Sequence, residues 1–238
     1  MAYREISEEM KSSEPTLLAV LVAIVGTIVG CTGHPVEIEK PTKGRPLSAE
    51  EESTLQRVAD AAFREVHLTG LPPKITLIVT WGKDVNPDTG ETGSNGYPGN
   101  LGLTLDPDRD VLATIRSWVR PCIVHELNHL ARKSRSMPRT FRDRLVSEGL
   151  ATAFERDVTG IDVEWGRPPP DAWVTEVLAL PPDADQEVWF GKHPDGRRGV
   201  AMRVGTLLVD RARKASGTSL AELNVVPTEA ILRFAEAR

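Results

Sequence analysis

His125-Glu126-Leu127-Asn128-His129 places two imidazoles and a carboxylate at a spacing that can hold and use a divalent metal ion. The apolar residues around them, Cys122, Ile123, Val124, Leu127, Leu130 and Ala131, predict a helix. In a helix four residues advance slightly more than one turn, so His125 and His129 project from one face and can share a single Zn2+ through ring nitrogens. Glu126 sits one residue round. From there its carboxylate can reach a water at an open coordination position, take its proton as general base and pass it to a leaving amine. A catalytic zinc normally has three protein ligands, so one more donor is needed. Glu148, within Ser147-Glu148-Gly149-Leu150-Ala151, and Asp143 are the downstream candidates. Asp143 lies among Arg139, Arg142 and Arg144 and reads more simply as a solvated ion-pair partner. A longer pattern with Gly at 132 and His at 135 is excluded, because both positions are arginine.

Several elements must position these groups. A helix over Asp110 to Val119 is expected, then another with Pro121 at its first position running to about Lys133, and a third from Thr140 to Val158 that brings Glu148. Upstream, Ser48-Ala49-Glu50-Glu51 is a capping-box signature opening an amphipathic helix through Leu55, Val58, Ala59, Ala62, Phe63 and Val66, which Gly70 and Pro72 stop. Lys74 to Thr80 and Leu101 to Asp106 read as short strands separated by a Gly/Asn/Pro-rich loop. Leu101 to Asp106 reads either as an edge strand along which a peptide could lie or as an internal strand. Beyond Pro168-Pro169-Pro170, helices are expected over Ala172 to Leu180, Val200 to Ala215 and Thr228 to Ala237. Strands before helices predict an α+β fold. Arg132, Lys133, Arg135, Arg139, Arg142 and Arg144 could favour acidic substrates, but such a run more often forms a solvated face. The five tryptophans show no stacking pattern and read as core.

HELNHLAR followed by LVSEGLATAF resembles a gluzincin-type family of predicted zinc-dependent proteases, known as a domain of unknown function, that joins HExxH to a downstream EGLA segment. The specific part is Val124 to Phe154. The resemblance implies a zincin-like metallopeptidase fold with a small N-terminal sheet, an active-site helix and a mostly helical C-terminal half. It implies one Zn2+ per chain on His125, His129 and Glu148, and Glu126 as catalytic base, but names no substrate; a protein or peptide substrate is the expectation for a peptidase. Gly199 to Gly205 departs from an aromatic glycine motif of that family, so a tyrosine that could stabilise the oxyanion is missing there. His193 and Arg203 are the substitutes considered. Thr152 stands where some gluzincins carry an aspartate, which leaves the acceptor that orients the imidazoles unnamed. The competing reading is a non-catalytic surface lipoprotein that keeps the fold as a binding module.

The uncharged apolar run Thr16 to Gly30 ends at Cys31. It is shorter than the ~20 residues of a membrane span and suits a signal-peptide core. Ile28-Val29-Gly30-Cys31 resembles a bacterial lipobox, which implies a lipid anchor on Cys31 and an extracytoplasmic, membrane-anchored protein in the cell envelope. An uncleaved anchoring helix is the alternative. Acidic residues outnumber basic ones before the run, a difficulty that a start at Met10 would largely remove. The expected organisation is therefore residues 1–30 as lipoprotein signal peptide, 31–46 as a tether containing Pro35, Pro41 and Pro46, and 47–238 as the metallopeptidase domain. With Cys31 and Cys122 the only cysteines, a disulfide scaffold is excluded, and Cys122 reads as a small buried hydrophobe. A net charge of −5 with acids and bases interspersed gives no reason to expect a nucleic-acid partner.

Overall fold

Pairing between neighbours joins four short segments into one sheet. The computed structural model describes residues 33–96, 99–133 and 138–236. The strands are β1 (Val36–Glu39), β2 (Ile75–Trp81), β3 (Glu91–Asn95) and β4 (Asn100–Leu105), in the order β1-β2-β4-β3. β1 and β4 run parallel to β2, while β3 is antiparallel to β4 with Gly93 opposite Leu103. Ile75, Leu77 and Val79 of β2 and Leu101, Leu103 and Leu105 of β4 are buried, as a period of two requires when one face meets a core. β4 is therefore the internal strand of the two readings. The edge beside the chemistry is β3, inside the segment expected to be loop.

β1 corrects the expected tether. Residues 34–46 belong to the folded unit that runs from His34 to Arg238. β1 pairs with β2, and Gln56 Nε2 donates to the Val36 carbonyl at 2.8 Å. Asp60, buried on the same helix, accepts from the Val36 N–H at 3.3 Å and pairs with His34. Prolines at 35, 41 and 46 mask a strand of four residues whose partners lie far along the chain. The signal-peptide, lipobox and start-site readings fall on residues 1–31, outside the described residues.

The helices follow. α1 (Ala49–Glu65) opens with the expected capping box: Ser48 Oγ accepts from the Glu51 N–H, and Glu51 accepts from the Ser48 N–H at 2.7 Å. α2 (Val111–Thr114), a π turn (Ile115–Val119) and α3 (Arg120–Lys133) form one unbroken run rather than two helices. Pro121 has no N–H to give and its ring crowds the carbonyl four residues back, so the wider turn falls where an α turn would clash. α4 (Phe141–Thr159) is capped by Thr140 and ends at Gly160, a left-handed residue with φ 70°. A 3-10 turn (Glu164–Gly166), α5 (Asp171–Leu178), α6 (Gln186–Phe190), α7 (Val200–Ser216), α8 (Leu220–Leu223) and α9 (Thr228–Glu236) complete an α+β chain. No helix among the described residues is long and apolar enough to cross a membrane.

Three contacts fix the chemistry. β3 lies on α3, α3 packs along α4, and α4 packs most extensively against α7. The last crossing is made by glycines: a Cβ on Gly149 would lie 2.3 Å from the Gly205 carbonyl, and one on Gly205 would lie 2.2 Å from the Leu145 carbonyl. Backbones that close leave no room for side chains, so α4 is seated by main-chain contact.

Candidate metal centre

α3 presents His125 and His129 on one face, and α4 delivers Glu148 against them. His125 Nε2 is 3.1 Å from His129 Nε2, and Glu148 Oε2 is 3.4 and 3.3 Å from the two nitrogens. Donors about 2.0–2.1 Å from a tetrahedral zinc lie about 3.3–3.4 Å apart, so this triangle has the size such an ion requires. The same three residues are the one group of metal-capable side chains among the described residues. Asp143, the weaker candidate, is instead spent on the start of α4, where it accepts from the N–H groups of Arg139 and Thr140.

The outer partners were not legible beforehand. Glu155 Oε2 accepts from His125 Nδ1 at 3.0 Å, which turns Nε2 toward Glu148 and His129. His129 Nδ1 is 3.1 Å from Ser147 Oγ. Thr152 does not serve; its hydroxyl is buried without a partner. Glu155 lies two helical turns beyond Glu148, and that spacing on a helical face was the signal available. Arg144, one turn before Glu148, approaches its other oxygen with Nε 3.6 Å from Oε1, while its guanidinium covers the Phe190 ring. Arg132 is buried and donates to the carbonyls of Asn224 and Val226. Arg132 and Arg144 therefore do not share one solvated face.

Electrostatics point the same way. Burial alone disfavours a charged His125, yet hydrogen bonds to Glu148 and Glu155 outweigh it and push its pKa well above the usual imidazole value. Burial would raise the Glu148 carboxyl, but the imidazoles of His129 and His125 hold it well below the usual range. The imidazoles and the carboxylate thus favour one another's charged forms. Nearby, burial raises the Glu91 carboxyl despite its hydrogen bonds to Cys122 and Thr89. Burial also pushes the Cys122 thiol well up, in keeping with an unreactive packing role.

Glu126 lies beside the triangle and beneath the edge strand. Asn95 Nδ2 donates to Glu126 Oε2 at 2.8 Å. A Cβ on Gly93 would meet Glu126 Cγ at 2.7 Å and Oε1 at 2.8 Å, so β3 touches α3 here only because residue 93 has no side chain. The cavity above, about 480 Å3, includes Glu126, the three candidate ligands, Trp118 and Trp165. Two tryptophans expected in the core therefore line the site. Neither proposed tyrosine substitute reaches it: His193 stacks on Trp189 and pairs with Asp195, and Arg203 donates to the carbonyls of Arg167 and Pro168.

A family model described as Predicted Zn-dependent protease (DUF2268) matches residues 51–179, a span that includes the sheet edge, α3, α4 and every group of the triangle. Comparison with curated proteins and with solved structures finds no match.

Proposed function

Given that the chain belongs to this family of predicted Zn-dependent proteases, we propose that it hydrolyses peptide bonds in a protein or peptide substrate, with one zinc per chain on His125, His129 and Glu148. The observation that carries the reading is the triangle of two Nε2 atoms and one carboxylate oxygen at 3.1–3.4 Å, with a second carboxylate, Glu126, in the same cavity. A zinc held there supplies Lewis-acid chemistry, acidifying water and polarising a carbonyl. Glu126 accepts the proton of the attacking water and delivers it to the amide nitrogen. The C–N bond then breaks to leave a carboxylate and an amine. Asn95 holds one oxygen of Glu126 and leaves the other to take the proton. Glu155 and Ser147 fix the ring orientations of His125 and His129. β3, as the exposed edge, offers main-chain groups with which an extended substrate can pair.

The apolar run ending at Cys31 supports a lipid anchor at that cysteine and an extracytoplasmic, membrane-attached position for the chain. Metabolic labelling with a fatty acid should mark the wild type and not Cys31→Ser; equal labelling would overturn the anchor. For the centre itself, elemental analysis of the full chain should find one equivalent of zinc, much reduced in His129→Ala and Glu148→Ala. Glu126→Gln should keep the metal and lose hydrolysis. A well-folded wild type that takes up no zinc would end the peptidase reading.

A further inference from the structure

A second cavity of about 620 Å3 adjoins the metal cavity and shares Asn86, Thr92, Trp165 and Met202 with it. Thr92 belongs to β3, so the edge strand borders both cavities at that residue. One wall of the second cavity is a tight hairpin formed by residues 191–199. There the N–H of His193 donates to the Arg197 carbonyl at 2.8 Å and the N–H of Gly199 to the Gly191 carbonyl at 2.9 Å. Within it Lys192 and Arg198 form an antiparallel bridge pair. Directly opposed residues of such a pair project to the same side, so two cations face one cavity together.

Like charges in that position repel unless an anion lies between them. Among the described residues neither Lys192 nor Arg198 has a carboxylate partner, although Asp88 and Glu164 line the same cavity. The adjacent arginine shows the contrast. Arg197 is fully committed to Glu176 and Asp195, at 2.6 and 2.7 Å, and packs over the Trp173 ring. These bonds staple the hairpin to α5 and leave its other face, with the opposed cations, for something outside the chain. Arg203, on the same cavity wall, donates only to carbonyls and carries no carboxylate partner either. The family match ends at residue 179, so the hairpin is a feature of this chain outside the matched region.

We propose that Lys192 and Arg198 form a carboxylate-binding subsite that selects substrates carrying an acidic side chain, or a free C-terminus, a few residues from the bond cut above Glu126. The assignment rests on the peptidase reading for its substrate, and on the hairpin alone for its charge. A carboxylate bridging the two cations relieves their repulsion while its peptide lies along β3 and the zinc-side cavity holds the scissile bond.

The test uses the full chain with zinc and a peptide set in which one position at a time is Glu, Gln or Lys, each made with a free or an amidated C-terminus. Hydrolysis is followed on the wild type, and binding on Glu126→Gln. At one position Glu should be favoured over Lys roughly tenfold, the scale of two partly exposed ion pairs, and the preference should weaken with salt. A preference for the free acid over the amide, without one for Glu, would identify the chain terminus as the source. The double variant Lys192→Glu, Arg198→Glu should invert the preference toward Lys, a gain that damaged folding cannot produce. Hydrolysis indifferent to charge would overturn the subsite and leave the peptidase standing. Charge-selective binding without hydrolysis would do the reverse. Neither binding nor hydrolysis of any peptide in the set would overturn both.

Discussion

Replacing Gly205 by Ala separates two physical effects of opposite sign. In a helix interior the change should stabilise the chain by about 1 kcal/mol, because alanine is the better helix former. The crossing of α4 and α7 argues the other way. The added Cβ would lie 2.2 Å from the Leu145 carbonyl oxygen and 3.4 Å from Gly149 Cα, and the near atom is backbone that cannot rotate aside. Reaching a tolerable separation of about 3 Å requires the helices to part by about 1 Å, an overpacking that costs about 1–3 kcal/mol or more. A net loss of about 1–3 kcal/mol is expected by urea unfolding of the metal-free chain, read from the midpoint at unchanged slope. The displacement also carries Glu148, while metal ligands tolerate shifts of only about 0.2 Å. Zinc affinity should therefore fall along with stability. Gly96→Ala serves as control, since its Cβ would make only an ordinary 3.5 Å contact with Asn100. A Gly205→Ala protein as stable as the wild type, or more so, would refute the view that backbone contact seats α4.

Glu155→Gln should keep the fold but weaken zinc binding about 10–100-fold, because the His125 ring loses its carboxylate acceptor; competition with a chromophoric chelator measures it. Gly93→Ala should leave metal content near one equivalent while lowering kcat, since the new Cβ falls 2.7–2.8 Å from the Glu126 side chain; a kcat equal to wild type would remove β3 from the account of the base. Arg45 and the cap of α1 hold Glu51 down from 4.5 to about 2, so its contribution is fully present above about pH 4.5 and is lost as pH falls toward 2. The shift corresponds to at most about 3 kcal/mol, discounted to about 1–2 because Arg45 is 42% exposed. The stability gap between wild type and Glu51→Gln, followed by urea unfolding across pH, should therefore be open at pH 7 and close between pH 4.5 and 2.

What the sequence determined by itself was local. The spacing of His125, Glu126 and His129 in an apolar helix placed the first two candidate ligands and the adjacent carboxylate, because a helix makes neighbours of residues one turn apart. Ser48 and Glu51 marked the start of α1 for the same reason, since both partners of the cap lie within one turn. Glu148 came from resemblance, and the structure sets it at 3.3–3.4 Å from both imidazoles. Strands whose identity depends on a distant partner escaped. β3, Glu91-Thr92-Gly93-Ser94-Asn95, has no apolar alternation and is a strand only because β4 pairs with one side of it and α3 lies beneath. β1 hid among prolines until Gln56 and Asp60 of α1 were seen to bind it. Tertiary structure alone decided that Glu155 rather than residue 152 orients His125, that Asn95 and Gly93 fix Glu126, and that Lys192 and Arg198 face one cavity. Each depends on segments remote in the chain meeting within a few ångströms, and that distance is set by packing such as the Gly149–Gly205 crossing, which no local pattern of residues encodes.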